Sequence, residues 1–497
     1  MKRRHPAALL CFLGLFLAPA ALSWRGSGVP VEGRVLDGER PVPGARVRWQ
    51  GDARCVVSGS DGAFRLPARR TGQVTAWKPG YRIGAASPDR RPIELRLERP
   101  PAEDNPDYTW LSPHLDARSS TACGNCHAEI YREWNGSAHA GAVRNPRFVQ
   151  LFSDPDGKSP PGWDLSREHP LGLGVCASCH APTLDAPGRA DDYRQAKGVA
   201  ADGIHCDYCH KIVDAPVDKL GVRFGRDGLA LLRPKNGDQL FFGPLEDAVR
   251  PGESFGHLPL YKESRICASC HEGIVFGVHV YGTYSEWLES PAGKQGVHCQ
   301  SCHLAPTGRL TNIATGHGGI ERDPRALGSH RFAGSQADML RRCLELEASC
   351  KLQVDKLQVD VTVRADHVGH RVPTGFIDRH LLLVVQAFDA SRKSLRLLDG
   401  PRLPPAAGDF GGQAGVLYGT LRPEQKTGDP LPFWIPGAEL VDTRLHPGRP
   451  DHRTFTFPAD TDRVEVRLWY RRFWHTVAKA RGWSDNDTVV QELSIRP

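Results

Sequence analysis

Ten of the fourteen cysteines in this 497-residue chain fall in five copies of Cys-x-x-Cys-His. The copies are Cys123-Gly-Asn-Cys126-His127, Cys176-Ala-Ser-Cys179-His180, Cys206-Asp-Tyr-Cys209-His210, Cys267-Ala-Ser-Cys270-His271 and Cys299-Gln-Ser-Cys302-His303. Two intervening residues let both sulfurs reach the two vinyl groups of one porphyrin, and the adjacent histidine then stands under the ring as proximal iron ligand. The pattern implies five covalently bound haem c groups. A zinc ribbon and a thioredoxin-like pair also use Cys-x-x-Cys, but neither needs a histidine directly after the second cysteine. With only 21 histidines in 497 residues, its recurrence at that one place in every copy is hard to assign to chance.

The second axial ligand separates an electron carrier from a catalyst. Methionine is nearly excluded, because Met1 lies in an N-terminal leader and only Met339 remains. Bis-histidine ligation therefore dominates the expectation, with lower potentials than His/Met cytochromes. His139, in Trp134-Asn-Gly-Ser137-Ala-His139-Ala140, is the first distal candidate; a helix would put it about 18 Å from His127, so it should cap a neighbouring haem. His257, His330 and His370 follow, each set against the plain reading of a surface or core histidine satisfied by hydrogen bonds. His169, His279 and His317 are weaker candidates, and His205 and His298 adjoin their own motif cysteines, so they can reach only another haem.

The five motifs occupy residues 123 to 303, too little polypeptide to wrap each porphyrin in an apolar core of its own. The haems must then form much of the core, close together, among short helices and Gly/Pro loops. Gly203-Ile-His-Cys-Asp-Tyr-Cys-His210 parallels Gly296-Val-His-Cys-Gln-Ser-Cys-His303, and each follows a Cys-Ala-Ser-Cys-His copy, which indicates an internal duplication of a two-haem unit.

The stretch from Cys123 to Ala140, the segment Gly203–His210, and Gly282-Thr-Tyr-Ser-Glu-Trp287 leading to His303 resemble the cytochrome c-552/c-554 family of multihaem electron carriers, over about residues 107 to 380. That family is related to the hydroxylamine oxidoreductase-like multihaem group. The resemblance implies mostly helical haem packing, stacked haem pairs and bis-His irons, one of them sometimes five-coordinate. Five motifs stand where the namesake cytochrome has four, so haem-by-haem transfer is open. No Cys-x-x-Cys-Lys of the kind that marks the active haem of pentahaem nitrite reductases occurs here. The reading is electron transfer between partners, with a haem oxidoreductase acting on hydroxylamine, nitrite or a sulfur oxyanion at one uncapped iron as the alternative.

Residues 1–23 read as a signal peptide: Lys2, Arg3 and Arg4 precede an apolar run from Ala7 to Leu22 that is too short to span a membrane, followed by small residues. Cys11 lies in that run and leaves with it unless it carries a lipid anchor. Export fits haem c attachment and implies periplasmic redox proteins or membrane quinol or cytochrome partners. The formal charge of +7 does not point to nucleic acid, because ten haem propionates oppose it. Oligomeric state is not legible.

Residues 27–100 alternate in period two around Asp-Gly turns, in Val31–Val35, Ala45–Trp49, Ala63–Leu66 and Ile93–Leu97, as a small antiparallel β-sandwich does. Gly33-Arg-Val-Leu, Pro43-Gly-Ala-Arg-Val, Ser60-Asp-Gly-Ala-Phe and Lys78-Pro-Gly-Tyr81 resemble the carboxypeptidase regulatory-like domain, mostly a non-catalytic recognition or stabilising module. Cys55 is expected as a buried core thiol. A linker, Pro101 to Pro106, leads to a pentahaem domain over 107–346. A helix over Ala337–Leu346 and a C-terminal antiparallel β-sandwich over 351–497 complete an α+β multidomain fold. Cys343 and Cys350 are expected to pair as a disulfide if that helix stops near Glu347.

Overall fold

The computed structural model describes residues 30–69, 72–89, 91–170, 174–184, 192–334, 336–422, 430–435 and 440–497. The leader and Cys11 lie outside the described residues. Two compact units emerge, one over residues up to Lys78 together with Ile83–Glu98, the other over Pro79–Arg82 and Arg99–Pro497.

In the first unit the alternation works as period two demands: Val31, Gly33 and Val35 are buried while Glu32 and Arg34 face solvent. One sheet runs Arg40–Pro41, Val31–Asp37, Ala63–Leu66, with Ile93–Arg96 added on Val31–Asp37. That last pairing is parallel, so the sheet is mixed rather than antiparallel throughout; alternation encodes which face is buried, not neighbour direction. The second sheet orders Val56–Val57, Arg46–Trp49, Val74–Trp77 and Gly84–Ala86. Val74–Trp77 is buried at every position, which hides it from a search for alternation. Cys55 is half-buried, not a core thiol. It precedes Val56–Val57, which pairs with Arg46–Trp49 at the edge of that sheet among the described residues.

In the second unit the motif region is short helices joined by loops and two-stranded sheets. The motifs lie on Cys123–Cys126, Gly174–His180, Cys206–Cys209, Arg265–His271 and Gln300–His303. One helical turn places residues i and i+3 on the same face, which aims both sulfurs of a motif the same way. The two Ala-Ser copies sit on matching seven-residue helices, Gly174–His180 and Arg265–His271. Both pack against Gly225–Gly228: a Cβ on Gly225 would stand 2.7 Å from Ser178 Cβ, and one on Gly228 would stand 2.5 Å from Ser269 Oγ. Small residues between those cysteines and glycines opposite them permit this close approach.

Beyond the motifs, the expected helix stops early. It spans Ala337–Cys343, and Leu344–Leu352 is already a strand. Six residues of extended chain separate Cys343 from Cys350 by about 20 Å, far beyond disulfide reach, and both cysteines are free. Leu344–Leu352, Lys356–Ala365 and Asp451–Pro458 form one antiparallel sheet; Ser394–Leu395, His380–Phe388, Arg463–Arg471 and Asp487–Ile495 form another, with Gly415–Tyr418 on His380–Phe388. Leu357, Val359, Val361 and Val363 from the first share a core with Leu381, Leu383, Val385 and Leu468 from the second. Strand His380–Phe388 is buried on both faces, and its Leu382 and Val384 join a separate core with Phe152, Trp163, Ala177 and Trp474. That shared strand welds the C-terminal sheets to the helix of the second motif. No helix among the described residues is long and apolar enough to cross a membrane.

Candidate haem sites

A proximal histidine needs its Nδ1–H tied to an acceptor so that Nε2 is presented to the metal in a fixed orientation. The structure has this arrangement at four motifs. Nδ1 lies against a backbone carbonyl for His127 (Ile313 O, 2.7 Å), His180 (Ala142 O, 2.9 Å), His210 (Phe242 O, 2.6 Å) and His303 (Ala333 O). Burial pushes the His180 and His210 imidazoles below their ordinary pKa, and takes His271 down to about 4, so these rings are neutral at pH 7. His271 is surrounded by protein yet solvent-accessible by area. None of the ten motif cysteines is fully buried either.

Two pairs of imidazoles stand close together. His139 stands opposite His271 with ring centroids 6.3 Å apart, and His370 opposite His303 at 6.2 Å. An iron bound to two imidazoles at about 2.0 Å, each centroid about 1.1 Å behind its nitrogen, requires about 6.2 Å between centroids. Nδ1 of His139 is buried with no hydrogen-bond partner, an orphan polar atom at a ring whose pKa burial drives to about 3. The residues present therefore fit iron porphyrins in these two places.

The other candidates divide. His330 lies close enough to His210 for that ring to depress its pKa, after desolvation, to about 4, and its backbone N–H donates to Glu133 Oε2 at 2.7 Å. His257 is buried in Ser254–His257, paired in register with Gly243, next to the carbonyl that holds His210. His205 and His298 are structural: His205 accepts from the Tyr208 N–H through Nδ1 and meets Thr183 Oγ1 through Nε2, and His298 Nδ1 accepts from the Ser264 N–H. His279 bonds Glu272 at 2.6 Å, His169 stacks on Phe276, and His317 is exposed in a turn. His380 went unremarked in the sequence because it lies inside a strand far from any motif. It is buried, with Nδ1 against Asp378 O at 3.0 Å and Nε2 unpartnered, but it stacks on Trp474 and no imidazole is in ring contact with it among the described residues.

Helix Ala128–Asn135 is the hub that positions two of these histidines. Its Glu133 holds the His330 backbone, and its Trp134 Nε1 donates to Ile204 O at 2.8 Å while the Ile204 N–H donates to His139 O. Gly203, at φ +65°, is required there, since a Cβ would collide with the His139 carbonyl oxygen. Gly203→Ala is expected to cost about 1–3 kcal/mol and to shift His139, read as a lowered Tm together with a changed spectrum.

His370 comes from the C-terminal region, and Glu286 holds its loop. The Glu286 carboxylate accepts from the Arg371 N–H (3.2 Å), the Thr374 hydroxyl (2.7 Å) and the Arg444 guanidinium (2.5 Å). Asp442 bridges Arg371 and Arg444. A Cβ on Gly369 would stand 3.4 Å from both Trp287 and Ala292, in ordinary van der Waals contact, so the loop packs against the helix that carries Glu286.

Cysteine contacts show which motifs adjoin. Cys123 meets Cys206, Cys179 meets Cys270, and Cys267 meets Cys299. Motif one thus lies on motif three and motif two on motif four, contacts between alternate copies that sequence order does not reveal, while motif four also lies on motif five, its neighbour in sequence. Beside the first contact, Asp207 and Lys211 form an ion pair with both side chains at 0 % exposure. Lys211 also lies over the rings of Tyr108 and Phe241. Among the described residues no three His, Cys, Asp or Glu side chains converge as a zinc ribbon would require.

Residues 122–211 match the sequence model of the family described as cytochrome c554 and c-prime. Among solved structures, the penta-heme cytochrome c552 from Thermochromatium tepidum is 21% identical with a TM-score of 0.56, over 76% of this chain and 97% of that one. The Mu homology domain of Fcho1 from Danio rerio with bound Eps15 peptide also matches, at 11% identity and a TM-score of 0.14 over 26% of this chain and 38% of that one, and supports no argument. No curated protein matches. The chain is similar in its first three motifs to a family of c-type cytochromes, and it shares its fold with a multihaem cytochrome.

Proposed function

We propose that this chain is a pentahaem c-type cytochrome that carries electrons between redox partners through closely packed, mostly bis-histidine haems. The observation that carries the reading is the facing of His139 with His271 and of His370 with His303 at the separation one iron needs. The haem count of five rests on the five motifs and is supported by the penta-heme neighbour. When bound, each haem supplies a one-electron couple; the protein supplies ligands, spacing and electrostatics.

In this reading His139 caps the fourth haem, His370 the fifth and His330 the third, while His257 serves the group built on motifs one and three. The leader exports the chain to the periplasm, where soluble redox proteins or a membrane quinol or cytochrome complex exchange electrons with it. The first unit is a carboxypeptidase regulatory-like β-sandwich acting as a recognition or stabilising module. Glu286→Ala is expected to remove about 2–4 kcal/mol of stability, because three donors lose one buried acceptor, and to loosen His370 so that the fifth iron turns partly high-spin.

Electron paramagnetic resonance of the oxidised holoprotein, repeated with nitrite and with hydroxylamine, tests the assignment. Low-spin irons that ignore both ligands are expected. A high-spin iron that shifts on ligand addition would replace electron carriage with catalysis on a small nitrogen or sulfur species at an open site.

A further inference from the structure

A cavity of about 300 Å³ opens beside the His370 loop, lined by His279, Glu286, Arg371, Arg379, Asp442 and Arg444 among others. Most of its charges are already matched. Asp442 neutralises Arg371 and Arg444, Glu286 also faces Arg444, and Glu272 faces His279. Arg379 is the exception: one of its five donors reaches the Thr374 carbonyl at 3.2 Å, and no carboxylate meets it among the described residues. Room has been left for its guanidinium, because a Cβ on Gly375, at φ +84°, would stand 2.7 Å from Arg379 Nη1. A half-buried guanidinium with four idle donors facing a void is the fork geometry that binds a carboxylate in a bidentate pair. The cavity borders the fourth motif, since its lining residue His279 bonds Glu272, which directly follows His271, at 2.6 Å.

We propose that Arg379 takes a carboxylate in this cavity, a propionate of the haem carried by the fourth motif, and thereby raises that haem's reduction potential. The inference rests on the haem reading above. A fixed positive charge beside a propionate offsets its negative charge and favours the ferrous state over the ferric.

The test is spectroelectrochemical titration of the full-length holoprotein at low ionic strength, for wild type, R379Q, R379K and R379M, with haem per chain measured in each. Five haems are expected throughout. One midpoint should fall in R379Q by about tenfold in the reduction equilibrium, which is about 59 mV for one electron, and should stay near wild type in R379K. R379M removes the charge while keeping the aliphatic stem, so it reports the same drop if R379Q does not accumulate. Five unchanged midpoints in the neutral variant overturn the proposal. A thermal shift of wild type that saturates with added nitrite or sulfate and vanishes in R379Q also overturns it, because the cavity then takes a free oxyanion. Absence of bound haem from wild type would sink the haem reading instead, and is distinguished by the stoichiometry.

Discussion

Replacing His139 by alanine is expected to convert one of the five irons from low-spin to high-spin and leave the other four unchanged. The imidazole faces His271 at 6.3 Å between centroids, and Nδ1 has no other partner, so the ring has no structural bond to lose. Its ring neighbours are His271 and Phe332, the latter 4.2 Å away edge-on. Truncation leaves space for water or an added ligand, and the fourth haem should bind nitrite, hydroxylamine or cyanide where the wild type does not. Loss of the strong-field imidazole also changes that haem's midpoint by a large fraction of the span that axial ligands control. Stability should fall less than the spectrum changes. Equal loss of low-spin signal from all five irons would mean that the substitution unfolds the haem region, and an unchanged spectrum would remove His139 from the ligand set.

The largest expected effect on stability is at Asp207. It lies in the third motif, pairs with Lys211, and accepts the Leu111 N–H at 2.9 Å. Asp207→Asn keeps an acceptor for that N–H but leaves the Lys211 ammonium in an enclosed site without its counter-charge, which costs about 3–5 kcal/mol. Desolvation already holds the Lys211 pKa below its ordinary value, and loss of Asp207 lowers it further. A base whose pKa is lower folded than unfolded binds fewer protons in the folded state, so stability rises with pH through that interval. The deficit of Asp207→Asn should therefore be largest near neutral pH and shrink as pH climbs toward 10. The double variant Asp207→Asn, Lys211→Met should recover most of it. A deficit that is flat with pH, or that the double variant deepens, would assign the loss to packing rather than charge. Thermal and denaturant unfolding of holoprotein with equal haem content measures both.

What the sequence made legible follows from how local each constraint is. The haem attachment motif is complete within five residues because covalent chemistry fixes it, and every copy could be read. The strands Val31–Asp37 and Ala63–Leu66 were legible because one face is wet. Val74–Trp77 was not, because both faces are dry. Distal ligands depend on contacts between segments far apart in the chain. Reach alone led to the expectation that His139 serves a haem other than its own motif's; that it stands opposite His271 of the fourth motif depends on tertiary packing around Ile204 and Gly203. Asp207 and Lys211 look like any helical i,i+4 pair; only their complete burial distinguishes them. Cys343 and Cys350 went astray through one boundary, since a strand starting at Leu344 rather than a turn near Glu347 carries the two sulfurs apart.

The most direct test of the account is the mass of the intact chain, expressed with the haem attachment machinery and measured after denaturation under reducing conditions, alongside its absorption spectrum. Covalent attachment predicts a mass above the processed polypeptide by five haems, with the Soret band retained in the unfolded chain. A bare polypeptide mass, a zinc adduct lost on denaturation, or fewer than five haems with intact motifs would contradict it.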